Sequence, residues 1–159
     1  MNPKSYKAPA ALLTDRIILI TGASDGIGRA LAVECGRLGA QVIIHGRNKA
    51  KLDKVYDELV AIDGAARPSI AVMDLLAAES DAYESLAQGI EDEFGRHDGL
   101  VHNAGILGER YPIQQYDVGA WQKVMHVNLT ATFALTQVCL PLLLEAPDPS
   151  IIFTSSGVG

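Results

Sequence analysis

The sequence predicts an α/β domain built on a doubly wound parallel sheet, and three observations carry that prediction. Short β-branched runs alternate with longer segments of helical spacing from residue 16 to residue 154. The joints between them are brief and rich in Gly, Asn and Asp, as βαβ crossovers require. The first apolar run, Ile17-Ile18-Leu19-Ile20, passes straight into Thr21-Gly22-Ala23-Ser24-Asp25-Gly26-Ile27-Gly28, a glycine-rich turn that opens a helix.

Residues 1–13 hold two prolines and little periodicity, so they read as a surface arm leading to a strand at Arg16–Thr21. Ile27, Ala30, Leu31, Ala32 and Leu38 then follow helical spacing, and Gly39 stands where a helix ends in left-handed backbone. Gln41–His45 is a buried parallel strand by its β-branched run. Asn48 is positioned to cap a helix from Lys49 to about Ile62, with Leu52, Val55, Tyr56, Leu59 and Val60 on one face and Asp63-Gly64 as the stop. Ser69–Met73 is the third strand, closing on Asp74. A helix from Glu79 to Phe94 ends at Gly95, and Gly99–His102 is the fourth strand. The loop from Ile106 to Asp117 is long enough to suggest a functional role. A helix from Val118 to Leu144 is followed by Pro147, Pro149 and a fifth strand at Ser150–Thr154.

At 159 residues the chain suits one domain. Its net charge of −6, with no Lys/Arg cluster, argues against a nucleic-acid partner. The apolar stretch Val127–Leu144 is interrupted by Asn128, Thr130, Thr132, Thr136, Gln137 and Pro141, and reads as a buried helix and not a membrane span. Cys35 and Cys139 fall on apolar helix faces, as buried thiols of a reducing compartment would. Residues 1–13 lack the apolar core of a signal peptide. The expected location is the cytoplasm.

The glycine turn is a natural seat for a phosphate. Residues without a Cβ let the backbone approach an anion, and the amides of the helix's first turn face it. Its spacing is G-x-x-x-G-x-G. Just past the second strand stands His45-Gly46-Arg47-Asn48, where an NAD-binding Rossmann domain would place an acid for the ribose hydroxyls. A guanidinium there suits a 2′-phosphate, so NADP is expected over NAD. Asp74 could accept from an adenine amine or cap its own turn. Asn103-Ala104-Gly105 lets backbone pass a flat ligand, and the asparagine can brace neighbouring strands. No metal site is expected.

These motifs together resemble the short-chain dehydrogenase/reductase family over Arg16 to Gly159. The matching pieces are Thr21–Gly28, Asp74-Leu75, His102–Gly105, Val127-Asn128 and Ile151–Ser156. Asp15–Leu19, Gly46-Arg47-Asn48 and Asn103–Gly108 resemble more narrowly the bacterial YciK-type reductases. The resemblance implies a Rossmann-like sheet and a dinucleotide whose pyrophosphate and ribose lie on the turn at Gly22, Ser24, Asp25, Gly26 and Ile27. It implies adenine beside Asp74 and Leu75, and a cofactor flanked by Asn103, Ala104 and Gly105. The family works with an Asn-Ser-Tyr-Lys tetrad. Asn128 matches the asparagine that holds a relay water, and Ser156 the serine that polarises a substrate carbonyl.

The tyrosines are Tyr6, Tyr56, Tyr83, Tyr111 and Tyr116, and none is followed by Lys four residues on, so the family's Tyr-x-x-x-Lys is missing. The expectation is therefore the first five strands of a longer domain, the cofactor-binding part of an oxidoreductase for a carbonyl or alcohol substrate, inactive alone and homo-oligomeric at full length. The competing reading is a non-catalytic dinucleotide-binding module. Asp25 departs from NADP-preferring relatives, which often carry a basic residue at that position.

Overall fold

The computed structural model describes residues 6–156; positions 1–5 of the arm and 157–159, where the family resemblance ends, lie outside the described residues. Five parallel strands form one sheet in the order β3-β2-β1-β4-β5. They are β1 (Ile17–Ile20), β2 (Gln41–Gly46), β3 (Ser69–Val72), β4 (Gly99–His102) and β5 (Ser150–Phe153). β1 is central and pairs with β2 on one side and β4 on the other, Leu19 standing opposite both Ile43 and Leu100. The chain winds outward from β1 through β2 and β3, then starts again at β4. The carboxyl ends of β1 and β4 therefore part at the sheet's switch point, where ligands of such folds sit.

Burial follows this order. All four residues of β1 and of β4 are buried, as strands covered on both faces must be. β3 and β5, at the edges, are half-buried or exposed. Ile18, Ile20, Val42 and Ile44 pack one face of the sheet against helices α1 (Gly26–Arg37) and α2 (Lys49–Val60). Leu19, Ile43 and Leu100 pack the other face against α3 (Ser80–Phe94) and α5 (Ala131–Glu145). Each large aliphatic side chain so buried contributes about 1.5–3 kcal/mol.

The helix ends obey the local chemistry of the sequence. The Asn48 side chain accepts from the Lys51 amide at 3.0 Å, and Asp117 from the Ala120 amide at 2.7 Å. Gly39 (φ 92°) and Gly95 (φ 67°) take the left-handed backbone that stops α1 and α3. At the amino ends of β1, β4 and β5, the buried Asp98 carboxylate accepts from the Ile17 amide (3.0 Å) and pairs with Arg96 (2.7 Å) and Arg16 (3.4 Å). Arg16 also reaches Asp148, just before β5. Burial pushes the Asp98 carboxyl up, but the bonds from Arg96 and Ile17 and the two arginine charges outweigh it, leaving its pKa below the usual value.

One expectation needs correction. The helix predicted from Val118 to Leu144 is not one α-helix. It runs as α4 (Val118–Met125), a π-helical turn (His126–Thr130) and α5. Ala131, Leu135, Cys139 and Leu143 are buried against the sheet, whereas Leu129, Phe133 and Leu144 are more than half exposed. By length and hydropathy Val118–Glu145 could cross a membrane, but one of its faces is committed to the sheet.

Candidate functional site

The groove at the switch point is assembled from the carboxyl ends of four strands, β1 to β4. Its floor and walls include Gly22, Ser24, Arg47, Asp74, Leu75, Ala104 and Gly105, around a hollow of about 200 Å³. Seven of the residues singled out from sequence thus line one cavity. Gly26 and Ile27 stand beside it at the start of α1, the Ile27 side chain 69% exposed.

Why the turn needs these glycines is visible in its packing. Gly22 has φ 65°, and a Cβ on it would come within 2.8 Å of the Ala104 Cα. A Cβ on Gly28 would run into the Gly22 carbonyl oxygen. Gly26 is different: its φ is 53°, and a Cβ there would meet nothing within 4 Å. The turn is thus folded tightly upon itself, while its outer side at Gly26, next to the first-turn amides of α1, is left open for a ligand to approach.

Below the turn, the Thr21 hydroxyl accepts from the amides of Asn103 and Ala104, both at 3.0 Å, and donates to the Val101 carbonyl at 3.2 Å. The Asn103 side chain donates to the carbonyls of Thr21 (3.1 Å) and Gly22 (3.3 Å). Asn103 therefore braces the splayed ends of β1 and β4 from beneath. Thr21 performs the other half of that clamp, and its role was not apparent from sequence, because a threonine ending a strand looks like any β-branched strand residue.

Asp25 caps α1. Its carboxylate accepts from the Gly26 amide and from Lys51 Nζ, each at 2.8 Å, and the Lys51 hydrogen bond is the main cause of its lowered pKa. The acid at the turn is thus matched by a cation from α2, a partner no local pattern announces. Arg47, at the rim, makes no hydrogen bond or ion pair among the described residues. Asp74 caps its own turn, the second of its two sequence readings: Oδ1 accepts from the Leu76 amide at 3.0 Å, and Oδ2 has no partner among the described residues.

Asn128 lies inside the π turn. Its Oδ1 accepts from the Ile106 amide and its Nδ2 donates to the Ile106 carbonyl, both at 2.9 Å. A Cβ on Gly105 would sit 3.3 Å from Asn128 Oδ1, so the loop after β4 passes tightly over this amide. Ser156 follows β5 on the exposed surface as the last described residue. Among the described residues no group of three acidic, His or Cys side chains could hold a metal.

A sequence profile of the short chain dehydrogenases matches residues 16–159. The chain belongs to the short chain dehydrogenase family. Within it, the oxidoreductase YciK of Escherichia coli K12 is 47% identical over 154 residues, a match to 97% of this chain and 61% of that protein. A short chain dehydrogenase of Pseudomonas syringae superposes with a TM-score of 0.94 at 46% identity, covering 97% of this chain and 63% of that one. A short chain dehydrogenase of Escherichia coli CFT073, solved in complex with NADPH, gives 0.90 at 48%, covering 94% and 62%. The chain spans about three fifths of the length of these relatives. The sheet, the glycine turn and the YciK-like character expected from sequence are those of this family.

Proposed function

We propose that this chain binds NADP(H) and forms the cofactor-binding part of an oxidoreductase acting on a carbonyl/alcohol pair. The observation that carries the reading is Arg47: a guanidinium without an internal partner, at the rim of a groove that also holds the glycine turn and Asp74. The NADPH-bound relative at 48% identity supports the same choice of cofactor. The open outer side of Gly26 and the α1 amides fit a pyrophosphate, with Ser24 and Ile27 flanking it. Arg47 fits a 2′-phosphate through a charge-assisted, potentially bidentate contact. The pairing of Asp25 with Lys51 removes the objection that an acid at the turn would repel such a phosphate.

Bound there, the dinucleotide would exchange a hydride with a carbonyl carbon. In this reading the Ser156 hydroxyl holds the substrate oxygen by hydrogen bonding. Asn128 fixes the loop that flanks the reacting ring and anchors the relay water, and a tyrosine outside these 159 residues supplies the proton. We place the protein in the cytoplasm, as a domain continuing into a Tyr-x-x-x-Lys helix and assembling as a homo-oligomer. The exposed apolar faces of β5 and α5 support the assembly.

Titrating NADPH and NADH into wild type and Arg47→Ala tests the assignment. The expected result is a loss of about 10–100-fold for NADPH, the scale of a charge-assisted hydrogen bond, with little change for NADH. Equal loss for both would overturn the 2′-phosphate role. Turnover of a carbonyl by the 159-residue chain alone would overturn the role given to the absent tyrosine.

A further inference from the structure

The loop after β4 holds apolar side chains in solvent to a degree that cofactor binding does not explain. Leu107 is 93% exposed and Ile113 91%, and Tyr111 and Trp121 are more than half exposed. With Tyr116 and Val124 they line a second hollow, of about 490 Å³, between the loop and α4. Glu109 is the one charged residue in its described lining, and no Lys or Arg offsets it there. The loop is folded down onto the helix: Gly108 has φ 68°, and a Cβ on it would run into the Tyr116 hydroxyl and come within 2.8 Å of Val124 Cγ2. The Tyr116 hydroxyl accepts from the Glu109 amide at 3.3 Å. An aromatic-lined hollow of this size suits a small organic molecule. It also adjoins the cofactor groove. Ile106 lines the groove and the next residue, Leu107, lines the hollow. Trp121 and Val124 stand about two turns and one turn before Asn128, whose amide clasps Ile106.

We propose that this hollow seats the apolar, uncharged tail of the carbonyl substrate, with Leu107, Ile113 and Trp121 as its contact surface. The inference rests on the oxidoreductase reading above and names the substrate class: ketones or aldehydes bearing an alkyl or aryl chain. Burying such a chain against exposed aliphatic and aromatic side chains is favourable on both sides of the contact. Glu109 selects by charge. A substrate whose tail ends in a carboxylate meets a like charge in a lining that offers no cation.

Trp121 is the single tryptophan of the chain, so its emission reports this hollow and the test needs no turnover. The full chain is titrated with 2-octanone and with 7-oxooctanoate, which differ in the carboxylate at the end of the tail. NADPH binding is followed separately through the dinucleotide's own fluorescence. A saturable change with 2-octanone is expected, with 7-oxooctanoate at least about ten-fold weaker and Glu109→Gln narrowing that gap. Ile113→Asp should weaken 2-octanone about ten-fold, the scale of one lost apolar contact, and leave NADPH binding unchanged. Leu107→Asp, at an equally exposed position, serves as the second variant. No saturable change in a chain that binds NADPH overturns the proposal and leaves the cofactor reading intact. Failure to bind NADPH removes the functional reading, and the substrate role with it. Equal affinity for the two ketones overturns the selection of an uncharged tail. If Ile113→Asp abolishes self-association and leaves 2-octanone unaffected, the hollow is a contact between copies of the chain, and the proposal falls.

Discussion

Gly28 and Gly26 sit two residues apart in one turn and should respond differently to the same substitution. Gly28→Ala drives a Cβ into the Gly22 carbonyl, in a place where only backbone could yield. The expected loss is about 1–3 kcal/mol of stability, read by urea denaturation, together with nucleotide binding. Gly26→Ala meets no atom, so its stability cost is only that of a left-handed alanine, about 1–2 kcal/mol. Its nucleotide affinity should fall further than that strain explains, because the new methyl stands in the open space proposed for the pyrophosphate. Two histidines set the acid response at the same scale. Burial lowers the pKa of both His45 and His102 to about 4, from an ordinary 6.5. In the unfolded chain they take up protons below about 6.5, whereas the fold resists protonation until about 4. Their contribution to stability is complete above the upper value and declines as pH falls through this window. Unfolding free energy measured from pH 7 to pH 4 should drop accordingly. Replacing His102, whose Nε2 meets Thr136 Oγ1 at 2.8 Å, with Gln should flatten the slope.

Among the elements, the π turn between α4 and α5 has the clearest consequence. It adds a residue to the helix at Asn128, turning that side chain toward the loop after β4, where it clasps both backbone groups of Ile106. Such turns are less favourable than regular helix and gather at functional sites. Asn128→Ala should free the start of the 106–117 loop. Hydrogen exchange at the Ile106 amide should accelerate, and stability should fall by about 1–2 kcal/mol for the two lost hydrogen bonds. Unchanged exchange at Ile106 would show that the turn itself holds the loop. The sequence contains no sign of this element, since one inserted residue hardly disturbs the apolar spacing of a 28-residue helix.

At the scale of the whole molecule, the described residues leave apolar surface uncovered on β5 and along α4 and α5. β5 is an edge strand with Ile152 and Phe153 more than half exposed, and Trp121, Leu129, Phe133 and Leu144 lie open along α4 and α5. Edges and patches of this kind invite pairing with another chain. The 159-residue chain alone should therefore associate as its concentration rises, which sedimentation would detect. A monomeric, cooperatively unfolding chain would remove the physical motive for a longer domain.

Much of this architecture could be read from residue order alone. Strand and helix positions followed from apolar periodicity, and the ends of α1, α2 and α3 from Gly39, Asn48 and Gly95, because these are choices a short stretch of backbone makes with its immediate neighbours. The glycine turn and the basic residue after β2 were legible for the same reason. Only the tertiary structure decided which distant groups meet. It brought Lys51 to Asp25, Asn103 and Thr21 into one clamp under Gly22, and Asn128 to Ile106, and it left the ring nitrogens of the buried His45 without a partner among the described residues. Those outcomes depend on how helices and strands pack in three dimensions, where residues tens of positions apart come within a hydrogen bond of each other and no local pattern records the meeting.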